Sequence, residues 1–226
     1  MSHSKSNDSI RRVLRSKDDA KLNYDRLSRW YDLITGSSEW YFTRSGLSLL
    51  NAQPGENVLE IGYGTGKALL ELSRAVAPDG YSAGIDISTG MRDVARKRLQ
   101  SAGLLDKIDL RVGDALYLPY QPGIFNAVFT SFTLELFDTP EIPLVLAECK
   151  RVLREDGRIA IVAMAKEENE GLATHIYKWV NRAFPNFVDC RPIYVNESVI
   201  RAGFSVQSNI SLKMWGLPVT IILANK

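Results

Sequence analysis

A chain of 226 residues with 45% hydrophobic and 24% charged side chains suits one domain, or one domain with an extension, and can fill a core. A net charge of +2 gives no bulk reason to invoke a nucleic-acid partner. Cys149 and Cys190 form neither a CxxC pair nor a His/Cys ligand spacing, so no disulfide framework and no metal centre is expected, and a reducing compartment fits.

The polar start, Ser2 to Asn7, reads as a loose tail and lacks the apolar stretch of a signal peptide. The longest apolar run, Ile159 to Ala165, is far too short to cross a bilayer. Charge is unevenly spread: residues 1–44 hold nine Lys/Arg against six acids, which makes that segment +3 and the remainder −1. Such a basic start suits an anionic membrane surface, an acidic substrate or simply a solvated helix face. The expected location is the cytoplasm, with peripheral contact at the membrane through this segment.

Residues 10–50 read as helical and carry Tyr24, Trp30, Tyr31, Trp40, Tyr41 and Phe42. From Asn57 onward short β-rich runs alternate with helical patterns. Val58 to Ile61 is a strand ending in glycines, and Lys67 to Ala77 follows with Leu69, Leu70, Leu72 and Val76 at helical spacing. Tyr81 to Ile87 is the second strand, and Met91 to Ala102 a helix capped by Ser88 or Thr89. Ile108 to Val112 and Ala127 to Thr130 are strands three and four. Ile142 to Leu153 is a helix stopping near Asp156-Gly157, and Arg158 to Met164 is strand five. A helix is expected near Glu197 to Ala202. Phe204 to Leu212 and Leu217 to Leu223 are strands joined by a link too short for a parallel crossover, so they should pair antiparallel.

Strand–helix–strand alternation at this spacing predicts an α/β fold with a doubly wound, seven-stranded, mostly parallel sheet, an antiparallel last strand and an N-terminal helical extension. The expected organisation is an extension or lid over 1–50 and a ligand-binding domain over 51–226. Its 166–195 insertion follows strand five and is placed to cover the strand ends, where open α/β sheets bind ligands.

Glu60-Ile61-Gly62-Tyr63-Gly64-Thr65-Gly66 lies between the first strand and its helix. Glycines permit positive φ and close backbone approach, and the helix start offers free N–H groups. A dinucleotide loop needs G-x-G-x-x-G, but the third glycine comes one residue early, at Gly66. A phosphate loop needs Gly-Lys-Ser/Thr, and Gly66-Lys67-Ala68 lacks the hydroxyl. Asp86 ends strand two, where an acid can accept both ribose hydroxyls or cap the next helix. Gly113-Asp114-Ala115 and Thr130-Ser131-Phe132 reach the same crevice from strands three and four.

The pattern [D/E]-x-G-x-G-x-G with these strand ends resembles the class I S-adenosylmethionine-dependent methyltransferases over roughly residues 50–165. It is similar in particular to the ubiquinone/menaquinone C-methyltransferase-like group. Further matching stretches are Tyr24-Asp25-Arg26 with Tyr31-Asp32, Leu118-Pro119-Tyr120, Phe125 to Val128, and Glu148 to Leu153. The resemblance implies S-adenosylmethionine as cofactor. It implies contacts from Glu60, Gly62, Gly64, Thr65, Gly66, Asp86, Ile87, Asp114, Ala115, Ser131 and Phe132, with Met91 packing on adenine or serving as helix core. It also implies that Tyr24 and Tyr31 close over the cofactor or acceptor. Asn126 and Arg154 to Gly157 depart from the pattern at turns. The quinone-family C-terminal signature is not evident, so the acceptor does not transfer with the fold.

Methyl transfer needs alignment and water exclusion more than a nucleophile. Where the acceptor must lose a proton, His175, in the insertion, is a candidate base, or else a packing histidine. Glu135 and Asp138, after strand four, are alternative proton acceptors, or a loop acid and a helix cap. Aromatic residues of the two covering segments suggest a small, apolar acceptor such as a quinol, an isoprenoid or a lipid headgroup, with no nucleic acid. The rivals are a nicotinamide oxidoreductase, a non-catalytic S-adenosylmethionine-binding regulator, and a methyltransferase for a polar nitrogen or sulfur acceptor.

Overall fold

The computed structural model describes residues 22, 25, 38–166 and 191–226. Among them, seven strands form one sheet in the order β3-β2-β1-β4-β5-β7-β6. The elements are α1 (Ser38–Leu50), β1 (Asn57–Ile61), α2 (Lys67–Val76), β2 (Tyr81–Asp86), α3 (Thr89–Ser101) and β3 (Ile108–Val112). They continue with β4 (Phe125–Ser131), α4 (Ile142–Val152), β5 (Leu153–Met164), α5 (Val195–Arg201), β6 (Ser205–Met214) and β7 (Leu217–Asn225). Strands β1 to β5 pair parallel, and β7 runs antiparallel to both β5 and β6. The doubly wound architecture with a reversed last strand is the one expected.

Period-two alternation explains the layering. In β5, Ile159, Ile161 and Ala163 face a cluster with α4 and α5, through Ile142, Leu146, Cys149, Val195 and Val199. Ala160, Val162 and Met164 face the opposite cluster with α1 and α2, through Phe42, Leu50, Leu72 and Val76. Helix α3 seals the far end with Ala95 and Leu99 against Tyr63, Leu69 and Ile108.

One difference from the sequence expectation has a physical cause. Strand β5 begins at Leu153, not Arg158, because Leu153 already pairs with Phe125 before the register shifts and Arg158 pairs with Ala127. The Asp156-Gly157 turn is therefore carried inside the strand as an irregularity. In the N-terminal region, α1 packs on the sheet through buried Phe42, Gly46 and Leu50. Arg158 secures its end, donating to the Leu50 and Asn51 carbonyls and pairing with both Glu56 oxygens at 2.8 Å.

The β6–β7 connection is a tight turn in which Trp215 and Gly216 both take positive φ, 51° and 84°. That handedness matches the twist of the flanking strands. The stretch after β5 departs and returns at one place: Lys166 N–H donates to the Ile193 carbonyl at 2.9 Å, and Ile193 N–H to that of Met164 at 3.1 Å.

Helix α1 approaches the sheet closely because residue 46 has no side chain. A Cβ there would stand 2.4 Å from Val162 Cγ2 and 3.1 Å from Phe129 Cε2. Gly46→Val is expected to destabilise the fold by about 1–3 kcal/mol through overpacking, read as a lowered thermal unfolding midpoint. An unchanged midpoint would contradict this packing.

Candidate functional site at the strand ends

The turn after β1 is built from three left-handed glycines, with φ of 71° at Gly62, 49° at Gly64 and 76° at Gly66. Their surroundings differ. A Cβ on Gly62 would fall 2.2 Å from Thr133 Oγ1, and one on Gly66 2.9 Å from the Ala95 Cβ. One on Gly64 would meet nothing within 4 Å. The outer glycines therefore permit packing, while the middle one exposes backbone to open space. Tyr63 points inward, buried against the α2–α3 interface. Thr65 is buried, and its carbonyl accepts from Arg98.

Asp86 stands at the end of β2 beside this turn. Its Oδ2 accepts from Gly64 N–H at 2.8 Å and its Oδ1 from Ser88 N–H at 2.9 Å. The cap of α3 is Ser88, whose Oγ accepts from Met91 N–H at 3.0 Å, so Asp86 is not the capping residue. The Ile87 N–H also bears on it, so of the roughly four acceptor positions a carboxylate offers about one remains. Burial pushes the Asp86 carboxyl up to about 6; the Ser88 and Gly64 N–H groups oppose this and Asp25 adds to it. Glu60, at the end of β1, is buried with Oε2 unpartnered. Burial and the nearby Asp86 hold its carboxyl well above the usual carboxylate range.

Around these groups, Ile87 is half-buried and Met91 buried in the first turn of α3. Asp114 Oδ1 accepts from Leu116 N–H at 3.0 Å, and Ala115 is buried. At the end of β4, Ser131 Oγ lies 2.8 Å from Thr43 Oγ1. Because Thr43 Oγ1 already donates to the Glu39 carbonyl, Ser131 is the donor of that bond. Phe132 takes a left-handed φ of 50°, held by its N–H on the Val162 carbonyl at 2.8 Å and by its ring edge-on to Phe42. A bulky residue in this conformation stores strain, and such strain clusters at ligand sites.

Glu135 follows in the short turn Leu134–Leu136 and is completely buried. Its Oε1 accepts from Met164 N–H at 3.0 Å, while Oε2 has no partner. Burial pushes the carboxyl up to about 8, against the Met164 N–H. At neutral pH it keeps its proton and can donate from Oε2. Asp138 Oδ1 accepts from Thr139 N–H at 2.8 Å and stands ahead of α4, whose cap is Glu141. Arg191 donates to Thr139 Oγ1 and to the Phe137 carbonyl, bracing this loop.

The strand ends thus bring together Glu60, Gly62, Gly64, Thr65, Gly66, Asp86 and Ile87 on one side, and Ser131, Phe132 and Glu135 on the other. Tyr24, Tyr31 and His175 lie outside the described residues. Sequence reasoning missed Thr43 and Arg191 as partners of the site. It quoted Asp25 in a matching stretch without assigning it a contact, although Asp25 accepts from Ser88, Thr89 and Gly90.

A Rossmann-like sheet with an acid–glycine turn after β1 and a half-buried acid at the end of β2 defines a nucleoside-binding α/β protein of the class I type. Comparison with known proteins narrows it. Residues 58–157 match the family model described as a methyltransferase domain. The demethylmenaquinone methyltransferase of Thermotoga maritima is 30% identical over 179 residues, 77% of this chain and 74% of that protein. That of Symbiobacterium thermophilum is 31% identical over 147 residues, 63% and 58%. The [4+2]-cyclase SpnF shares the fold at a TM-score of 0.73 and 17% identity, over 95% of this chain and 97% of that one. The chain belongs to the S-adenosylmethionine-dependent methyltransferase family, in its UbiE-like group. Its matches span between 55% and 65% of three of its curated relatives.

S-adenosylmethionine is the cofactor of that family, and the residues present fit it. The open face of Gly64 admits close approach, the Asp86 carboxylate keeps acceptor capacity, and the buried, unpartnered Glu60 Oε2 lies beneath the turn.

Glu135 titrates near 4.3 in an unfolded chain and near 8 in the fold, so between these values the folded state binds more protons and stability falls as pH rises. Calorimetric unfolding of Glu135→Gln is expected to match the parent at pH 4. At pH 8.5 the variant should be more stable by on the order of 5 kcal/mol. Parallel pH profiles of the two proteins would refute the buried protonated state.

Proposed function

We propose that this protein transfers the methyl group of S-adenosylmethionine to a small, apolar acceptor. The observation that carries this reading is the pairing of an open, left-handed Gly64 with the half-buried Asp86 carboxylate. In this reading Asp86 holds the ribose hydroxyls, and Ile87 and Met91 border the nucleoside. Asp114 and Ala115 serve the adenine side. Glu60, Gly62, Thr65, Gly66, Ser131 and Phe132 surround the amino-acid end, and Tyr24 and Tyr31 close the site. The family and the names of the relatives support the activity; the fold alone does not, since SpnF shares it and is described as a cyclase.

When bound, the cofactor supplies a methyl group on a positively charged sulfur, which leaves as a neutral thioether. The chain's task is alignment and exclusion of water. Strain at Phe132 and the Thr43–Ser131 bond fix the wall between the glycine turn and the acceptor side. Glu135, completely buried and carrying its own proton at neutral pH, can take the acceptor's proton only in its ionised form, above about pH 8. His175 is the candidate for that proton at neutral pH. The names of the demethylmenaquinone relatives favour a quinol-like acceptor. Among the described residues no helix is long and apolar enough to cross a membrane. Peripheral contact through the basic first 44 residues would give access to a lipid-dissolved acceptor.

Titration calorimetry with S-adenosylmethionine and with NADH tests the reading, together with methyl transfer to quinols, isoprenoids, phospholipids, thiols and amines. Binding of S-adenosylmethionine but not NADH is expected, with turnover on an apolar acceptor. Asp86→Ala should weaken binding roughly 10- to 100-fold, the worth of hydrogen bonds to a charged group. An Asp86→Ala protein that binds as the parent does would remove the ribose assignment. Binding without methyl transfer to any of the panel would favour a regulatory role.

A further inference from the structure

Asp25 touches a turn 63 to 65 residues downstream. Its Oδ1 accepts from Ser88 Oγ at 2.6 Å and from Gly90 N–H at 2.7 Å, and its Oδ2 from Thr89 Oγ1 at 3.2 Å. Ser88 is completely buried. A hydroxyl has one proton and two lone pairs. The proton goes to Asp25, and one lone pair takes the Met91 N–H at 3.0 Å. The Ser88 backbone N–H donates to Asp86 Oδ1 at 2.9 Å, and the other Asp86 oxygen takes the Gly64 N–H. Asp25, Ser88, Asp86 and Gly64 thus form one hydrogen-bonded series from the N-terminal segment to the glycine turn. The buried serine can point its proton in only one direction while it caps α3, and Asp25 fixes that direction.

We propose that Asp25 is a positioning residue for the nucleoside of the cofactor: by holding the Ser88–Gly90 turn, it sets the orientation of Asp86. This rests on the nucleoside reading given above. Asp25 does not reach the reacting atoms; it acts through Ser88 and Asp86.

A second consequence separates positioning from simple anchoring. The groups bearing on Asp86 are Glu60 at the end of β1, Tyr63 in the glycine turn and Asp25, together with the N–H groups of Gly64, Ile87 and Ser88. Burial raises the Asp86 carboxyl, and the negative charge of Asp25 raises it further. A protonated Asp86 is a poorer acceptor for two hydroxyls, so cofactor affinity falls as pH drops through about 6. Without the Asp25 charge that fall moves to lower pH.

The experiment is calorimetric titration of S-adenosylhomocysteine into the parent chain, Asp25→Asn and Asp25→Ala from pH 5 to pH 8. At pH 7.5 Asp25→Ala should bind about tenfold more weakly and Asp25→Asn about threefold. In Asp25→Asn the pH at which affinity is halved should move down by about half a unit. Where Asp25→Ala does not fold, the near-isosteric Asn variant carries the test. Equal affinity of parent and Asp25→Asn at every pH overturns the proposal, and so does a weakening with an unmoved pH midpoint, which a purely structural tie would produce. A parent chain that binds at no pH overturns the nucleoside reading itself.

Discussion

The crevice depends on one half-buried carboxylate shared between two turns. Asp86 takes an N–H from the loop after β1 and another from the loop after β2, so neighbouring parallel strands end in a single hydrogen-bonded knot. Taking a carboxylate out of water is costly unless its oxygens are met, and here backbone donors meet them incompletely. The remaining acceptor capacity and the raised affinity for a proton are two expressions of the same shortfall. A ligand with paired hydroxyls would complete what the backbone leaves unmet.

The three glycines divide between packing and function in the same economical way. Gly62 and Gly66 allow Thr133 and Ala95 to close on the turn, which brings β4 and α3 against β1. Gly64 faces outward. The acids nearby follow a matching gradient. Glu60 lies deepest, its carboxyl held well above the usual range, Asp86 is intermediate, and Asp25 meets three donors at the corner of α3. On the other side of β1, strain at Phe132 and the unpartnered oxygen of Glu135 mark the ends of β4 and β5.

Much of the sheet was legible because strands buried on both faces read as short apolar runs and the turns between them carry glycine, proline and aspartate. The acid–glycine turn and Asp86 were legible because their spacing is local. The start of β5 was not. Arg154 to Gly157 looks like a chain stop, and only the pairing of Leu153 with Phe125 extends the strand through it. Nor could α1 be resolved within residues 10–50, where aromatic and charged residues recur without a clean break. The bonds from Asp25 to Ser88 and from Thr43 to Ser131 span 63 and 88 residues, and no sequence period encodes such pairs. Glu135 was legible as an acid in a suggestive place. That one of its oxygens is satisfied and the other is not depends on a strand 29 residues away.

Helix α1 meets the crevice wall through Phe42 and Thr43, toward the β4–β5–β7 end of the sheet, away from α3 and β3 at the other end. The glycine turn is braced by different neighbours, Ala95 among them. The crevice is therefore held from two quarters at once. Mutations in the helix over β4 and β5 would reach it through Ser131 and Phe132, and mutations in α3 through Gly66, so that helices distant in sequence share one ligand surface.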